Sequence, residues 1–367
     1  MKPIKTLLVV TSIFPPDVGG PAKFCSDFSE WTLEKGVMVT VLTTANQDSS
    51  ETANGRKIIR IGRNVPIVVR ILKTFKNLFS NRKSQAMLVN GLFYEVFLFY
   101  LFSRRNYVVK IPSDIVWDRA RNKKKTTLDV DSFQGHEKGV FRLQRIFFSL
   151  SLQSAKCVIV PSAHLGNLAG QWGVDPKRIA LVRNSSSIAR TPKNASTFSF
   201  DVVTVGRLIP LKGIAEIIDM CARLHLSLAI LGDGPLDKTL RERANTSGAN
   251  VHFLGAVSTT RVLETLELSR FFVLNSEHEG SPNALIEAMS LGSACIVREN
   301  AGTREIIRDL DTVIQVNRDR SLEEAIKLGL SDAVLYNKIR QNAYRYASLN
   351  FDRNENFMKI LKVLELT

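Results

Sequence analysis

Short apolar, β-branched runs alternate with amphipathic stretches along most of the chain. Two of these stretches, 22–35 and 140–154, have the period of a helix with one apolar face. Continuous apolar strands separated by helices are typical of a parallel sheet that is covered on both faces. The pattern predicts an α/β fold with strands at 7–10, 37–43, 86–90, 107–111, 157–160, 179–182, 202–205, 226–231, 251–254, 271–274, 294–297 and 313–315.

The alternation is interrupted once, by the polar, proline-containing segment 184–199, which is typical of a linker. We therefore predict an N-terminal Rossmann-like domain over 1–183 and a second one over 200–345. The tail is helical in pattern, and 346–367 is predicted to pack back on the N-terminal domain. A length of 367 residues suits two such domains, which we expect to face each other across a cleft.

The formal net charge of +15 lies entirely in the N-terminal half. Residues 56–125 alone contain 17 Lys and Arg but only three Asp and Glu. Such a surface attracts anionic partners. Nucleic acid is not expected among them, because no RNP-like aromatic motif, zinc-ligand spacing or helix-turn-helix pattern is present.

The cysteines and the apolar segments indicate the cellular compartment of the protein. Four cysteines show no C-x-x-C spacing, which favours free thiols in a reducing cytosol. The first residues predict a strand and not a signal peptide. The longest apolar stretch, 92–102, has about half the length that a bilayer crossing needs. We expect a cytoplasmic protein, peripheral at most on the inner face of the membrane.

Segment 67–83 is both basic and amphipathic. Apolar residues recur at 68, 71, 72, 75, 78 and 79, with Arg70, Lys73 and Lys76 beside them. One interpretation is a helix that lies on an anionic membrane surface. The other is a domain helix whose apolar face belongs to the core. The sequence leaves both open.

The most informative motif is SEHEGSPNALIEAMSLG, residues 276–292. Gly280 permits a tight turn, Ser281 is a good N-cap and Pro282 suits the first helical position. We therefore predict a helix through Ala288.

The predicted helix places one glutamate just before its start and another inside it. Glu279 and Glu287 are then separated by roughly 7–8 Å along the axis, at a rise of about 1.5 Å per residue. The helix N-terminus between them favours a phosphate. This order of groups matches a nucleotide-sugar. The two carboxylates suit the hydroxyls at its two ends, and the anion site suits the diphosphate between them. The alternative is a capped amphipathic helix with two solvated glutamates.

Three further segments follow predicted strands. In VGRLIPLKG, 205–213, Arg207 and Lys212 can hold a diphosphate and stabilise it as it leaves. LGDGP, 231–235, is a glycine-rich turn that lets a ligand approach the backbone. FPPDVGGPAKF, 14–24, places two glycines before a helix start, which is a second candidate anion site. Each of these also suits an ordinary surface turn.

Together these motifs resemble the retaining family-4 glycosyltransferases of the GT-B fold, also described as glycosyl transferases group 1. Ala301-Gly302 and Glu305 add to the resemblance, which spans nearly the whole chain. It implies two doubly wound domains with C-terminal helices that cross back. It also implies transfer of a hexose-type sugar, with retention, from a nucleotide diphosphate sugar to an acceptor hydroxyl, without a metal or other cofactor.

The resemblance assigns roles to residues of this chain. Glu279 would bind hydroxyls of the donor sugar, Glu287 the ribose, and Arg207 with Lys212 the diphosphate. Amides of 281–284 would contact the donor, and the Gly19-Gly20 loop would close over donor and acceptor. The implied donor-binding residues are Gly19, Gly20, Gly206, Gly232, Gly234, Gly280, Ser281, Pro282, Asn283, Ala284 and Glu287.

The chain departs from this family's pattern at several points. Asn90 and Pro112-Ser113-Asp114 stand where many members have a histidine. Asp114 is a candidate catalytic residue that would hold the sugar's 6-hydroxyl or the acceptor, or else it caps a loop. Asn184 is followed by serine and not by glycine, so its place in the site is doubtful. Asp129-Val130-Asp131 lacks a preceding strand, and we do not expect it to bind metal.

The sequence defines the class of acceptor only loosely. A lipid-linked, saccharide or other hydroxyl acceptor in cell-surface polysaccharide, glycolipid or other glycoconjugate synthesis fits the basic half. Alternatives are a transferase for a small soluble metabolite and a non-catalytic membrane-surface scaffold of the same fold. A glycosidase is disfavoured, since adjacent cations suit a phosphate leaving group better. A nicotinamide-dependent oxidoreductase is disfavoured because FPPDVGG replaces G-x-G-x-x-G.

Overall fold

The computed structural model of the protein describes residues 5–17, 19–186 and 198–367. The chain divides into two compact units. Unit 1 comprises 1–182 together with 354–367, and unit 2 comprises 183–353. Each unit is a mostly parallel sheet with helices on both faces.

The strands in the described part of the chain are β1 (Thr6–Val10), β2 (Met38–Ala45), β3 (Ser49–Ala53), β4 (Arg56–Gly62), β5 (Ala86–Val89), β6 (Val108–Lys110), β7 (Cys157–Val160), β8 (Ile179–Leu181), β9 (Phe200–Val205), β10 (Leu228–Leu231), β11 (Val251–Gly255), β12 (Ser269–Leu274), β13 (Ala294–Arg298) and β14 (Ile314–Val316). The helices are α1 (Gly20–Glu34), α2 (Ile67–Ser80), α3 (Phe93–Ser103), α4 (Ile115–Asn122), α5 (Val130–Phe133), α6 (Val140–Gln153), α7 (Ala163–Gln171), α8 (Ile214–Leu224), α9 (Asp237–Ser247), α10 (Thr259–Glu267), α11 (Asn283–Ser290), α12 (Ala301–Arg304), α13 (Leu322–Ser331), α14 (Ala333–Asn350) and α15 (Arg353–Val363).

The sheet of unit 1 has the order β3-β4-β2-β1-β5-β6-β7-β8. Its strands are parallel except β3, which runs antiparallel to β4. The central strand β1 pairs on both sides, so that Leu8 lies opposite Thr40 and Met87. All six strands predicted for this half are confirmed.

The prediction missed the hairpin of β3 and β4. Four of the five residues of β3 are polar, and four are exposed at the sheet edge, so the strand shows no apolar alternation. Asn54 and Gly55 join the two strands with φ values of 50° and 74°. An Asn-Gly pair with positive φ at both residues is typical of a two-residue hairpin turn. This dipeptide was the signal in the sequence that could have predicted the hairpin.

The C-terminal segment completes the core of unit 1. Phe357 contacts the rings of Phe28 and Trp31 on α1, at centroid distances of 5.2 and 5.6 Å. The Trp31 indole N–H donates to Asn354 Oδ1 at 2.7 Å. The segment that does this begins at Asn354 and not at 346, because α14 is buried in unit 2 through Ala343 and Ala347.

The sheet of unit 2 has the order β11-β10-β9-β12-β13-β14, with parallel pairing throughout. Apolar clusters cover both of its faces, and all six strands predicted here are confirmed. The chain runs outward from β9 through β10 and β11, then crosses to β12 on the other side. The carboxyl ends of β9 and β12 therefore form a topological switch point, where open α/β sheets bind ligands.

The linker, the cysteines and the apolar segments were also the subject of predictions. Most of the predicted linker, 187–197, lies outside the described residues. The four cysteines form no disulfide, and Cys25, Cys221 and Cys295 are buried. Among the described residues, no helix combines the length and the apolar character needed to cross a bilayer.

Candidate functional site

Three loops of unit 2 meet at the carboxyl edge of its sheet. We call residues 206–213, after β9, the cation loop. Residues 232–236, after β10, are the glycine loop, and residues 275–282, after β12, are the acidic loop. Most of the residues predicted for the site lie on these loops or at the start of α11.

The glycine loop packs directly on the cation loop. A Cβ added to Gly232 would lie 1.9 Å from the carbonyl oxygen of Gly206, and one added to Gly234 would lie 2.6 Å from that of Leu208. The Leu208 amide donates to the Asp233 carbonyl at 3.0 Å. Any side chain at these glycines would therefore separate the two loops, which explains both glycines without a ligand.

The cation loop and the acidic loop bring together two predicted residues. Lys212 Nζ lies 2.5 Å from Glu279 Oε1, and both side chains are largely buried. The Glu277 amide donates to the Leu211 carbonyl at 2.9 Å, so the backbones of the two loops are also joined. A cation and a carboxylate thus stand at the switch point. Arg207 lies on the same cation loop and is exposed.

A buried asparagine holds the turn beside Lys212. Asn275 Nδ2 donates to the Gly213 carbonyl at 3.0 Å and to Glu216 Oε2 at 2.9 Å. Arg298 Nε donates to Asn275 Oδ1 at 2.8 Å, and its NH2 group lies 2.7 Å from Glu216 Oε2. Gly213 has φ of 59°, and a Cβ there would lie 2.6 Å from Asn275 atoms. This network fixes the end of the cation loop.

Asn275, Arg298 and Glu216 were not predicted from the sequence. A weak signal existed, because Asn275 and Arg298 are polar residues at the carboxyl ends of adjacent parallel strands. Their partner Glu216 lies on α8, and no spacing along the chain indicates that contact.

The acidic loop is supported on both sides. Asn300 Nδ2 donates to the Ser276 carbonyl at 3.0 Å. A Cβ on Gly302 would lie only 1.7 Å from the Glu279 carbonyl oxygen, so α12 contacts the loop with no room for a side chain at this position. Asn184 Nδ2 donates to the Ser281 carbonyl at 3.2 Å and to Asn283 Oδ1 at 2.9 Å. Asn184, doubtful from sequence, therefore helps to hold this loop.

Helix α11 begins one residue later than predicted. Pro282, with φ of −75° and ψ of 104°, is the N-cap, and Asn283 is the first helical residue. Ser281 was predicted as the N-cap, and this was wrong, since proline is extended here and displaces the helix start. The first turn carries no acidic residue, so its amides keep the preference for an anion. Glu287 lies in the second turn of α11 and is half-buried.

In unit 1 the predicted glycines lie at a helix start. Gly19 is the N-cap of α1, Gly20 is its first residue, and Pro21 follows in the first turn. The Lys23 amide donates to the Gly19 carbonyl at 3.0 Å. The predicted helix start is confirmed, while closure over a ligand stays a prediction.

Asp114 is fully occupied by internal donors. It is 1% exposed and caps α4, where Oδ1 accepts from the amides of Val116 at 3.0 Å and Trp117 at 3.2 Å. Its Oδ2 accepts from Gln134 Nε2 at 2.9 Å and Arg145 NH2 at 2.5 Å. Of the two interpretations left by the sequence, this geometry favours the capping aspartate over a sugar or acceptor ligand.

The formal D-x-D motif also has a local explanation. Asp129 is the N-cap of α5, and its Oδ1 accepts from the Ser132 amide at 2.8 Å. That backbone hydrogen bond lowers the pKa of the Asp129 carboxyl.

The architecture of the two units is that of the GT-B class of glycosyltransferases. A solved structure of the Anabaena protein Alr3699/HepE in complex with UDP-glucose has a TM-score of 0.79 to this chain, over 99% of this chain and 100% of that one. Sequence identity is 18%, so this likeness defines the fold alone.

The sequence of one segment matches a family model. Residues 188–346 match the glycosyl transferases group 1, in agreement with the resemblance predicted from the motifs. The cation, glycine and acidic loops all lie within this segment.

Curated relatives match over part of their length. The Bacillus subtilis putative teichuronic acid biosynthesis glycosyltransferase TuaC is 27% identical over 42% of this chain and 39% of its own. The Campylobacter jejuni N-acetylgalactosamine-N,N'-diacetylbacillosaminyl-diphospho-undecaprenol 4-alpha-N-acetylgalactosaminyltransferase is 25% identical over 59% of this chain and 62% of its own. The chain thus spans about two-fifths to three-fifths of the length of these relatives.

Proposed function

We propose that the protein is a retaining glycosyltransferase. It moves a hexose-type sugar from a nucleotide diphosphate sugar to an acceptor hydroxyl, in the synthesis of a cell-surface polysaccharide, glycolipid or other glycoconjugate. The observation that carries this proposal is the Lys212–Glu279 pair at the switch point of unit 2. The group 1 segment and the solved HepE complex with UDP-glucose support the donor class.

In this mechanism the donor diphosphate lies between cations and peptide amides. Lys212 and Arg207 neutralise its charge, and the first-turn amides of α11 donate to its oxygens. As the glycosidic bond breaks, negative charge grows on the leaving phosphate, and the fixed Lys212 ammonium stabilises it. Two cations and a helix terminus supply the charge that a divalent ion would otherwise supply, so transfer is proposed to need no metal.

The carboxylates bind the two ends of the donor. Glu279 accepts hydrogen bonds from hydroxyls of the transferred sugar, and Glu287 from those of the ribose. Lys212 already holds the Glu279 carboxylate at 2.5 Å, so the carboxylate is oriented before the donor binds. Orientation in advance lowers the entropy cost of binding the sugar.

For the acceptor we propose a lipid-linked saccharide or a related hydroxyl compound on the cytoplasmic side of a membrane. The printed name of the Campylobacter relative describes a diphospho-undecaprenol acceptor. The positive N-terminal half suits such an anionic molecule.

The test is a ligand panel with the whole protein. Thermal unfolding is measured with UDP, GDP, ADP and dTDP, each with EDTA, and the stabilising nucleotide is then tested as its sugar conjugates. We expect one nucleotide to raise the Tm of the protein but not that of Lys212→Ala. The matching donor should transfer sugar with retained anomeric configuration, followed by NMR. If no nucleotide binds, or if one binds without any turnover, the scaffold alternative replaces this proposal.

A further inference from the structure

Helix α2 carries an apolar face that the core does not cover. Of the six apolar residues that suggested an amphipathic helix, only Leu78 is buried. Val68, Leu72 and Phe79 are exposed, and Leu72 is 63% accessible. The interpretation of α2 as a simple core helix is therefore wrong for three of these six residues, and Ile67 and Val69 at the start of α2 are exposed as well.

Helix α6 shows the same arrangement more strongly. Phe141, Arg145 and Phe148 face inward and are buried. The outward side is mostly apolar from Val140 to Leu150, with Leu143 58% exposed. The exposed apolar residues of α6 are Val140, Leu143, Ile146, Phe147 and Leu150. Water-facing sides of helices are normally polar, so this one is built to meet an apolar partner.

Helix α3 joins the other two into one layer. Phe99 on α3 contacts the rings of Phe75 and Phe79 on α2, at 6.0 and 5.0 Å. Phe93 on α3 contacts Phe148 on α6 at 5.3 Å. The end of α3 exposes Phe102, whose side chain is 76% accessible. We call the exposed apolar residues of these helices the outer face: Ile67, Val68, Val69, Leu72, Phe79, Leu101, Phe102, Val140, Leu143, Ile146, Phe147 and Leu150.

The charges on this layer are almost all positive. Helices α2, α3 and α6 contain a single acidic residue, Glu95, which is buried and lies 3.2 Å from Arg70. Exposed cations stand on α2 and α6 and on the segments that follow α2 and α3: Lys76, Arg82, Lys83, Arg104 and Arg142. A second copy of this chain would bring like charges together, which opposes association.

We propose that the outer face binds an anionic lipid surface. Its leucine, isoleucine, valine and phenylalanine side chains enter the boundary between headgroups and acyl chains, while the cations remain among the headgroups. Both components are needed, because charge alone gives weak, salt-sensitive attraction and apolar area alone gives no preference for anionic lipid. This surface belongs to unit 1, so the inference stands apart from the donor site proposed in unit 2.

The experiment is co-sedimentation of the full chain with vesicles of phosphatidylcholine, with and without about 30% phosphatidylglycerol. The apolar variant is L143S/F147S, and the charge variant is Lys76→Glu with Arg142→Glu. The matched control is V334S/L349S, which removes two apolar residues that are 81% and 73% exposed on α14 of unit 2. Urea unfolding of each protein shows that it remains folded.

We expect the wild type and V334S/L349S to bind the anionic vesicles equally. The apolar and charge variants should each lose about tenfold or more in partition coefficient. Unchanged binding by L143S/F147S would overturn the proposal, as would equal binding of the wild type to neutral vesicles. A dimer in ultracentrifugation that L143S/F147S abolishes, with vesicle binding unaffected, would assign the face to a second copy and overturn it too.

A fluorescence measurement locates the contact. Trp31, Trp117 and Trp172 are all buried, so an added exposed indole reports its own surroundings. Phe147→Trp should shift its emission to the blue with anionic vesicles, and Leu349→Trp should not. No shift at 147 would contradict insertion of α6.

Discussion

Lys212 and Glu279 come from different loops of unit 2, and their charged groups lie 2.5 Å apart at the switch point of the sheet. Neither loop alone brings a cation next to a carboxylate. The pair exists because β9 and β12 are neighbours in space although β10 and β11 separate them along the chain. Each partner thereby has a second role, since it orients the other as well as the proposed donor.

The first prediction concerns this pair. Lys212→Ala and Glu279→Ala should each lower kcat/KM about 100-fold or more, because each removes a charge aimed at the donor. Each variant should still unfold cooperatively, with a Tm lowered by only a few degrees, because the remaining partner keeps part of its contact with water. Steady-state transfer and thermal unfolding measure the two effects.

Lys238→Ala is the control for this prediction, because Lys238 is an exposed lysine on α9 of the same unit. It should leave kcat/KM unchanged. Near-wild-type turnover in both Lys212→Ala and Glu279→Ala would reject the assignment of the site.

The second prediction concerns the contact between α12 and the acidic loop. In Gly302→Ala the new methyl group would lie 1.7 Å from the Glu279 carbonyl oxygen. The backbone must move, at a cost of about 1–3 kcal/mol in the free energy of unfolding. Urea denaturation should show this loss, and transfer activity should fall because Glu279 moves.

Gly170→Ala is matched to it, since Gly170 is a helical glycine with no atom near the position of its Cβ. We expect that variant to be as stable as the wild type or slightly more stable. A Gly302→Ala protein with wild-type stability and activity would show that the close approach is not required.

The third prediction concerns the asparagine network. In Asn275→Ala the Gly213 carbonyl loses the donor from this buried side chain, and Arg298 Nε loses its acceptor. We expect a loss of about 1–3 kcal/mol in stability and a fall in kcat, because the turn that carries Lys212 loosens. Arg298→Lys, which keeps the charge, should retain more activity than Arg298→Ala. Equal activity in the two Arg298 variants would contradict a positioning role.

The fourth prediction is a pH dependence in unit 1. Burial lowers the pKa of Lys110 to about 8, and its ammonium lies 4.4 Å from the Phe24 ring centroid. Between pH 8 and about 10.5 the unfolded chain therefore holds a proton at Lys110 that the folded chain has lost. The contribution of Lys110 to the free energy of unfolding should rise with pH across this window.

The variant Lys110→Met tests the direction of this pH dependence. At pH 7 the variant should be more stable than the wild type by up to about 3 kcal/mol, and the difference should shrink toward pH 10.5. Burial also raises the pKa of nearby Cys25 to about 12, but Cys25 is present in both proteins. Urea titrations at several pH values measure the difference, and one that does not vary with pH would refute the prediction.

The sequence predicts the sheets well and the contacts between loops poorly. All twelve predicted strands exist, since buried parallel strands are apolar throughout. The edge strand β3 is too polar to stand out, whereas β4 was missed although it contains the buried residues Ile58, Ile59 and Ile61. Glu279 and Lys212 were predicted because each follows a strand. The network around Asn275 was not, since its members are adjacent only after folding. Periodicity also showed that 67–83 is amphipathic, but it could not show which apolar residues face outward.

The packing of 354–367 on α1 affects how the protein is made. A nascent chain that has emerged only as far as residue 182 has synthesised every strand of unit 1, but it lacks Phe357, Ile360 and Leu361, which are buried in that core. At about 5–20 residues per second, roughly 10–40 s pass before these side chains leave the ribosome. During that time the apolar side of α1 is uncovered. Until residues 354–367 have emerged, this uncovered apolar surface makes the first half of the protein prone to aggregation.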